Sequence, residues 1–569
     1  MNRKHFTEIF KTLMTQVHPL RKGPPPPPWN GEDADSSAAE TSDQVGVRFI
    51  RKSQRYLPPI YQAAFTKPAV KHFQDSDLTM FFFSKKEGKV PAVELVENPA
   101  FETVVGAVYQ HDPAYKMGRH IKRLLAVVSN LHRSFLDEGR CIEANLTNKR
   151  LPPLASFNHN PFEDKRISAF VLVSIDAAIE SLGTKVPVIS IPSSYRNDIL
   201  LWLVLVHEVC GHPVLHSIPH LLDELRQRLA TEKLSDGKPV ITANNTVAKE
   251  ALLAVWRYWM EEACSDVMAT LNMGPAYGLG WPLFMTCLGC NCRSVERAGN
   301  SFVFSANGKN LLGRVRMSFF GIQTFLHQNR TTPELLVQSL SNSPQRPVDV
   351  INPHVAIGAI QASEGLNASR REAYIRNINQ ITDFCSNAGH DMIGILTKDQ
   401  IFEPVLKKIG EARSSGMNGT QVYVLPTLAG RKDSSRVRGG STVFEKLAIG
   451  SLPTLVMSRS EMQRIARRIG QYIATVKLGA LGGHSLGDLE SWDDADEETA
   501  CRIAGLLAEK RSVAGMGDDA HLLAGGMLAF YQDPKLYKSI NKRLGEALDV
   551  SYQCDPIWGQ IYLPRFLKK

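Results

Sequence analysis

Two histidines and a glutamate lie in the most apolar helical stretch of the chain, and this feature constrains the fold more than any other. The stretch reads ILLWLVLVHEVCGH, and Leu201 to Val206 make it apolar all round. A helix of this kind is buried. A buried, charged Glu208 is costly unless it is paired, hydrogen-bonded or bound to a metal ion. The chain must therefore supply partners for His207, Glu208 and His212 inside its core.

The spacing of the two histidines sets a geometric condition. His207 and His212 are five residues apart, and on an ideal helix their side chains would diverge by ~140°. A π-bulge or local unwinding would absorb the extra residue. Gly211 tolerates such distortion, and Pro213 disfavours α geometry at His212. We therefore predict a helix that is distorted at this glycine, with both imidazoles facing one ion.

A second helix offers acidic partners. It contains NTVAKEALLAVWRYWMEEACSDVMATLNM and stops at Gly274-Pro275. Glu262 and Asp266 are four residues apart and share one face, so one can reach a metal while the other anchors an imidazole. We expect Zn²⁺ as the cofactor, because a catalytic zinc combines three His or carboxylate ligands with one open position. The alternative is a pair of satisfied core histidines with a glutamate in an ion pair.

At this point a resemblance appears. HEVCGH, followed fifty positions later by EEACSD, resembles the HExxGH and EExxx(E/D) pair of dipeptidyl peptidase III, a member of the gluzincin zinc peptidases. The resemblance implies His207, His212 and Glu262 as zinc ligands and Glu208 as general base. It also implies that Asp266 takes the place of the acid that supports a ligand. It covers only the segment around the site, so exopeptidase specificity is not implied.

We therefore expect a zinc-dependent hydrolase, specifically a metallopeptidase, in which Glu208 takes a proton from water. Tyr277, just past the second helix, is a candidate for stabilising an oxyanion, with simple packing as the alternative. The run Val186–Pro192 predicts an edge strand that could hold an extended peptide. The other open readings are a non-peptidase metalloenzyme acting on a small molecule and a binding protein with a structural metal site.

The periodicity of apolar residues predicts a mainly α fold (α+β), with a small sheet and a large helical remainder. The resemblance to the gluzincin peptidases implies a zincin-like core. We expect an N-terminal segment 1–21, a Pro-rich disordered linker 22–45, a zincin-like catalytic region 46–300 and a helix-rich C-terminal region 301–569. Asn197-Asp198 is a good cap pair for the histidine helix. The other predicted elements are a helix within Tyr109–Arg140, a strand at Gln421–Pro426, and helices within Glu445–Leu478, Glu497–Arg511 and His521–Tyr531.

Composition narrows the class of protein. Hydrophobic residues make up 43% and charged residues 22%, which is typical of a soluble globular protein. A net charge of +9 on 569 residues is a mild excess and argues for neither nucleic acid nor a membrane as partner. Nine cysteines suggest no disulfide framework. We expect a cytoplasmic protein that acts on a peptide or a small molecule, with an organelle transit peptide as the alternative for the basic N-terminus. The oligomeric state stays open.

Several other polar positions are weaker candidates. Cys287, Cys290 and Cys292 form either a second metal or redox cluster or a set of buried free thiols. The remaining positions are interpreted mainly as ordinary surface or core residues; they are His216, His220, Arg370, Arg371, His484, Asp518, Asp519 and His521.

Overall fold

The structure of the chain is a computed structural model. It describes residues 3–16, 57–66, 110–111, 118–136, 151–158, 186–192, 195–243, 249, 252–253, 256–257, 260–284, 347–388, 421–424 and 455–558. The described residues are mainly helical, as predicted, with two small sheets. The predicted linker 22–45 and the predicted division near residue 300 lie outside them and stay predictions.

The helices follow one another along the chain in this order: α1 Arg3–Gln16, α2 Gly118–Phe135, α3 Leu203–Cys210, α4 His212–Ser217, α5 Leu221–Arg228, α6 Met260–Met273, α7 Pro347–Ala362, α8 Ala368–Ala388, α9 Arg459–Thr475, α10 Leu486–Leu489, α11 Asp494–Ala508, α12 Asp519–Gln532 and α13 Tyr537–Cys554. A short helical turn, Pro59–Tyr61, continues as a π-helix, Gln62–Thr66. The 3₁₀ segments are Ile199–Trp202, Gly479–Leu481 and Pro534–Leu536. Residues 275–284 are also helical.

Each of the two sheets has two described strands. Strand β1, Leu154–Asn158, pairs in parallel with β2, Val188–Pro192. Strand β3, Gln421–Val424, pairs antiparallel with β4, Leu455–Ser458. Both predicted strands are confirmed. Strand β2 begins two residues later than predicted, and the described part of the other strand is Gln421–Val424.

The helix that carries the histidines starts differently from the prediction. The side chain of Asp198 makes no capping hydrogen bond, and the chain enters a 3₁₀ segment at Ile199 before α3 begins. The Oδ1 atom of Asn541, on α13, accepts a hydrogen bond from the backbone N–H of Leu200 at 2.9 Å. The predicted local cap at Asp198 is therefore wrong, because a residue distant in sequence satisfies an N–H group at the start of this segment.

Helix α3 lies in the centre of the packed helices. It contacts α2 on one side and α6 on the other, while α6 also packs on α7 and α9, and α2 packs on α12 and α13. Apolar side chains of α1, among them Phe6 and Ile9, belong to the same buried core as Trp558 near the C-terminus. Phe6, Ile9 and Trp558 thus share one apolar core with the helix that carries the histidines.

The apolar stretch Ile199–Ser217 is long and apolar enough to cross a membrane by composition alone. In the structure 94% of it is buried inside the protein. Such burial is typical of the central helix of a globular core, since a core helix and a membrane span share the same composition.

Candidate metal centre

The helix distortion predicted between the two histidines is present. Helix α3 ends at Cys210, Gly211 has a backbone ψ of −91°, and α4 begins at His212. The N–H of Gly211 still donates to the carbonyl oxygen of His207 at 3.0 Å. As a result the rings of His207 and His212 lie 5.4 Å apart between their centroids. The break absorbs the extra residue by local unwinding, and the two imidazoles lie close together.

Only glycine fits at this break. A Cβ atom on Gly211 would lie 2.2 Å from Oγ of Ser265 and 2.4 Å from the carbonyl oxygen of His207. The second contact is with backbone, which cannot turn away as a side chain can. Close approach of α6 to the break therefore requires a residue without a side chain.

The ring of His207 is held on its Nδ1 side. Nδ1 lies 2.9 Å from Oδ1 of Asp266, and the hydroxyl of Tyr277 donates to the same carboxylate oxygen at 2.6 Å. Trp281 stacks on the imidazole, with 5.1 Å between ring centroids and 16° between planes. These contacts fix the ring with Nε2 directed toward Glu208 and Glu262, because the carboxylate on Nδ1 sets the tautomer and the orientation.

The ring of His212 is held in the same way by a residue that the sequence analysis did not single out. Its Nδ1 lies 2.9 Å from Oε1 of Glu261, and the same oxygen lies 2.8 Å from Nε2 of His216. The signal was present in the sequence, because Glu261 precedes the predicted ligand Glu262 in the EE pair. Neighbouring residues on a helix point about 100° apart, so Glu261 and Glu262 reach different imidazoles.

Two carboxylates face the Nε2 atoms. The oxygens of Glu208 lie 3.9 Å from Nε2 of His207 and 3.7 Å from Nε2 of His212. Oε2 of Glu262 lies 3.3 Å from Nε2 of His207. The buried group of His207, Glu208 and His212 could hold a metal ion, since their donor atoms lie within 4.8 Å of one another. All five residues named in advance for the metal centre (His207, Glu208, His212, Glu262 and Asp266) are therefore brought together.

The donor atoms of this cluster fit a metal ion. Both carboxylate oxygens of Glu208, Nε2 of His212 and Oε2 of Glu262 are buried without a hydrogen-bond partner among the described residues. Buried polar atoms are rarely left unsatisfied. Imidazole nitrogens and carboxylate oxygens directed toward one point are what a divalent cation such as zinc binds.

The pKa shifts of the buried side chains also favour a bound cation. Burial raises the pKa of Glu208 to about 7, although the two histidines lower it. Burial lowers the pKa of His212, but Glu261, Glu262 and Glu208 outweigh it and raise that pKa to about 9. The pKa of His207 also ends well above its usual value, because Asp266 and the nearby glutamates outweigh burial. The pocket therefore stabilises positive charge, which a divalent cation would supply.

No protein-family model, curated protein or solved structure matches this chain. The likeness to the gluzincin peptidases therefore consists of the site residues themselves.

The predicted role of Tyr277 does not fit its position. Its hydroxyl lies 3.2 Å from Nδ1 of His207, on the side of the ring opposite Nε2, and it donates to Asp266. Burial raises the pKa of this tyrosine well above its usual value, with Asp266 adding to the effect. A hydroxyl committed in this way anchors Asp266 and cannot face an oxyanion near the Nε2 atoms.

Most of the weaker candidates lie apart from the cluster. His220 is exposed with a φ of 65°, and His484 is half-buried in the C-terminal region. Arg370 pairs with Asp494 at 3.1 Å, and Arg371 donates to the carbonyl oxygen of Ser363 at 2.9 Å. The cysteine triplet Cys287, Cys290 and Cys292 lies outside the residues that the structure describes.

The polar group at 518–521 has a structural role. His521 contacts Oδ1 of Asp518 through Nδ1 at 2.7 Å and Oδ1 of Asp496 through Nε2 at 3.0 Å. Burial lowers the pKa of His521, but the two aspartates outweigh it and raise the pKa to about 10. Asp519 is buried and accepts a hydrogen bond from Ser551. This group joins the start of α12 to the start of α11.

We predict that the stabilising effect of His521 depends on pH. The folded-state pKa of about 10 lies above the unfolded value near 6.5, so the ion pairs stabilise fully below about pH 6.5 and are lost as pH rises through about 10. His521→Gln should therefore lower the free energy of unfolding by about 0.5–1 kcal/mol at pH 6. Urea unfolding at pH 6, 8 and 10 should show the gap between wild type and variant closing. A gap of constant size would contradict the assignment.

Proposed function

We propose that the protein is a zinc-dependent hydrolase of the gluzincin type, and that its substrate is a peptide. The observation that carries this proposal is the paired support of the two imidazoles. Each Nδ1 is held by a carboxylate, from Asp266 and Glu261, so that both Nε2 atoms are directed toward Glu208. An arrangement that only stabilised the core would not leave buried carboxylate oxygens unsatisfied.

In this proposal His207, His212 and Glu262 hold the metal. When bound, Zn²⁺ supplies a Lewis acid that makes water more acidic and polarises a carbonyl group. Glu208 accepts the proton of the attacking water and then delivers it to the leaving amine. Burial favours this role, because it raises the pKa of Glu208 to about 7 and so suits the carboxyl group to both taking up and releasing a proton near neutral pH.

The exposure of the cluster indicates the side from which a substrate would enter. His207 is fully buried and the side chain of Glu208 is 4% exposed, whereas the side chain of Glu262 is 24% exposed. Solvent thus reaches the site along the N-terminal turn of α6. Among the described residues β2 pairs only with β1, and an edge strand is the kind of element to which an extended peptide can add. This edge favours a peptide over other acyl substrates.

A second candidate function rests on the position of Glu208. Because its oxygens lie as close to the imidazoles as the donor atoms of a metal site do, Glu208 can serve as the third ligand. The ion would then be structural, since no general base would remain beside it. A structural site would make the protein a binding protein and not a hydrolase.

Metal analysis separates these possibilities. We expect wild-type protein to retain about one zinc per chain after dialysis, and His207→Ala and Glu262→Ala to retain almost none, because each removes a ligand. His484→Ala is the matched control, since this histidine lies apart from the cluster, and it should keep the metal. Equal zinc in all four proteins would remove the proposed site, and loss of zinc in Glu208→Gln with retention in Glu262→Gln would favour the structural alternative.

A further inference from the structure

A cleft lies at the entry to the histidine helix. It is a cleft of about 470 Å³ between the end of α1, the start of α2 and the start of α13. Asn197 and Asp198, which precede the 3₁₀ segment, form part of its wall. His207 is nine residues beyond Asp198, which places the cleft about 15 Å from the metal centre along the helix axis. It is therefore a separate site, with a volume in the range of small-molecule pockets.

Four cationic side chains line this cleft: Arg119, Arg123, Lys538 and Lys542. Both arginines bind one carboxylate, Asp549, with Nε of Arg119 at 2.9 Å and Nε of Arg123 at 2.7 Å. One negative charge thus serves two guanidinium groups. This leaves an excess of positive charge on the side of the cleft formed by α2.

The two lysines lie on the opposite wall. Lys538 and Lys542 are one helical turn apart on α13 and both are exposed, so their charges repel each other. Within the part of the chain that the structure describes, neither lysine has a carboxylate within ion-pair distance. The nearby Glu546 lines the cleft but is paired with Arg543 at 2.8 Å. The remaining acid, Asp198, is buried in the wall.

Three further side chains line the interior of the cleft. Tyr537 and Asn541 also line the cleft, and the amide of Asn541 is engaged on both sides, because Oδ1 accepts from Leu200 and Nδ2 donates to the carbonyl oxygen of Tyr537. His120 also lines it, with Nε2 2.8 Å from Oδ1 of Asn197. Burial lowers the pKa of His120, the hydrogen bond to Asn197 raises it, and Arg123, Arg196 and Arg119 lower it by smaller amounts, so that it ends below its usual value.

We propose that this cleft binds a small phosphorylated molecule. Lysine ammonium groups bind phosphate as point charges, and the exposed edge of a guanidinium group can add a fork of donors. The modest volume of the cleft and its limited number of unpaired cations suit a single phosphate or diphosphate group. A nucleic acid backbone would need a longer row of cations, and a bilayer would need a protruding surface.

The test is calorimetric titration of the full chain with inorganic phosphate and inorganic pyrophosphate, each with and without added zinc. We expect binding in both metal states, weakened by about tenfold or more in Lys538→Gln/Lys542→Gln, because each lysine supplies a charge-assisted hydrogen bond. Lys538→Arg/Lys542→Arg should retain binding. Lys233→Gln/Lys535→Gln is the matched control, because it removes two exposed lysines outside the cleft and should bind as the wild type does.

Several outcomes would overturn the proposal. Equal affinity in the cleft variant and the control variant would show that net charge alone attracts the anion. Binding that needs zinc and ignores the cleft lysines would place the phosphate at the metal centre. Binding only to phosphatidylserine vesicles or to a single-stranded oligonucleotide, and not to the free phosphates, would assign the cations to a different class of partner.

Discussion

Glu208→Gln should abolish turnover while the protein keeps its fold and its zinc. The amide has nearly the same shape as the carboxylate but cannot accept a proton, and loss of a positioned general base costs about 10²- to 10⁴-fold in rate. Burial raises the pKa of Glu208 to about 7, so the carboxyl group is partly protonated near neutral pH and the neutral amide resembles that protonated form, which favours retention of the fold. The rate is measured as release of new amino groups from a mixed peptide library.

The control for this variant is Glu509→Gln, whose side chain is 63% exposed and should leave turnover unchanged. Zinc content and melting temperature are measured on the same preparations. Full activity in Glu208→Gln would disprove the proposed base. Wild-type protein that binds zinc but cleaves no member of the library would argue against a peptidase and direct attention to small-molecule substrates.

Gly211→Ala should remove zinc binding and lower the free energy of unfolding by about 1–3 kcal/mol. The added methyl group would lie 2.4 Å from the carbonyl oxygen of His207 and 2.2 Å from Oγ of Ser265. To relieve these contacts α3 must unwind further at the break and α6 must move away from it, and the carboxylates of Glu261, Glu262 and Asp266 would move with α6. Loss of such supporting contacts typically costs 10- to 100-fold in metal affinity, which competition with a chelator would measure.

Gly505→Ala is the matched control for this substitution. Gly505 lies within α11, and a Cβ atom built on it meets nothing within 4 Å. Alanine is the better helix former, so this variant should be more stable by about 0.5–1 kcal/mol and bind zinc normally. Zinc affinity in Gly211→Ala equal to that of the wild type would mean that the break in the helix is not needed for the site.

The helices that were predicted correctly are those in which apolar residues recur at helical spacing, because that spacing determines which face is buried. Helix α2 shows this, because Leu124, Leu125, Val128 and Leu131 recur at helical spacing and are all buried. The sequence was less informative about helix starts. Asp198 is a residue that commonly caps helices, yet an asparagine from α13 provides the hydrogen bond. A contact across 341 residues leaves no local pattern to recognise.

The site was predictable for a related reason. An apolar helix must be buried, so its polar residues needed partners, and a second helix with acids at helical spacing was the available source. Sequence spacing also pointed to the break at Gly211. Sequence spacing did not show which nitrogen of the His207 ring Tyr277 would approach. For this reason Tyr277 was predicted to stabilise an oxyanion, although its hydroxyl lies beside Nδ1 of His207. The role of Glu261 was missed because it depends on how far α4 turns after the break.

The hydrogen bond from Leu200 to Asn541 has a consequence for the order of assembly during synthesis. A nascent chain that has not yet exposed α13 lacks the acceptor for this N–H group and lacks the helix that packs beneath α2. The histidine helix can therefore reach its final placement only after α13 has left the ribosome. Binding of the metal ion would then be a late event. A truncation that removes α13 should yield protein that cannot bind the ion.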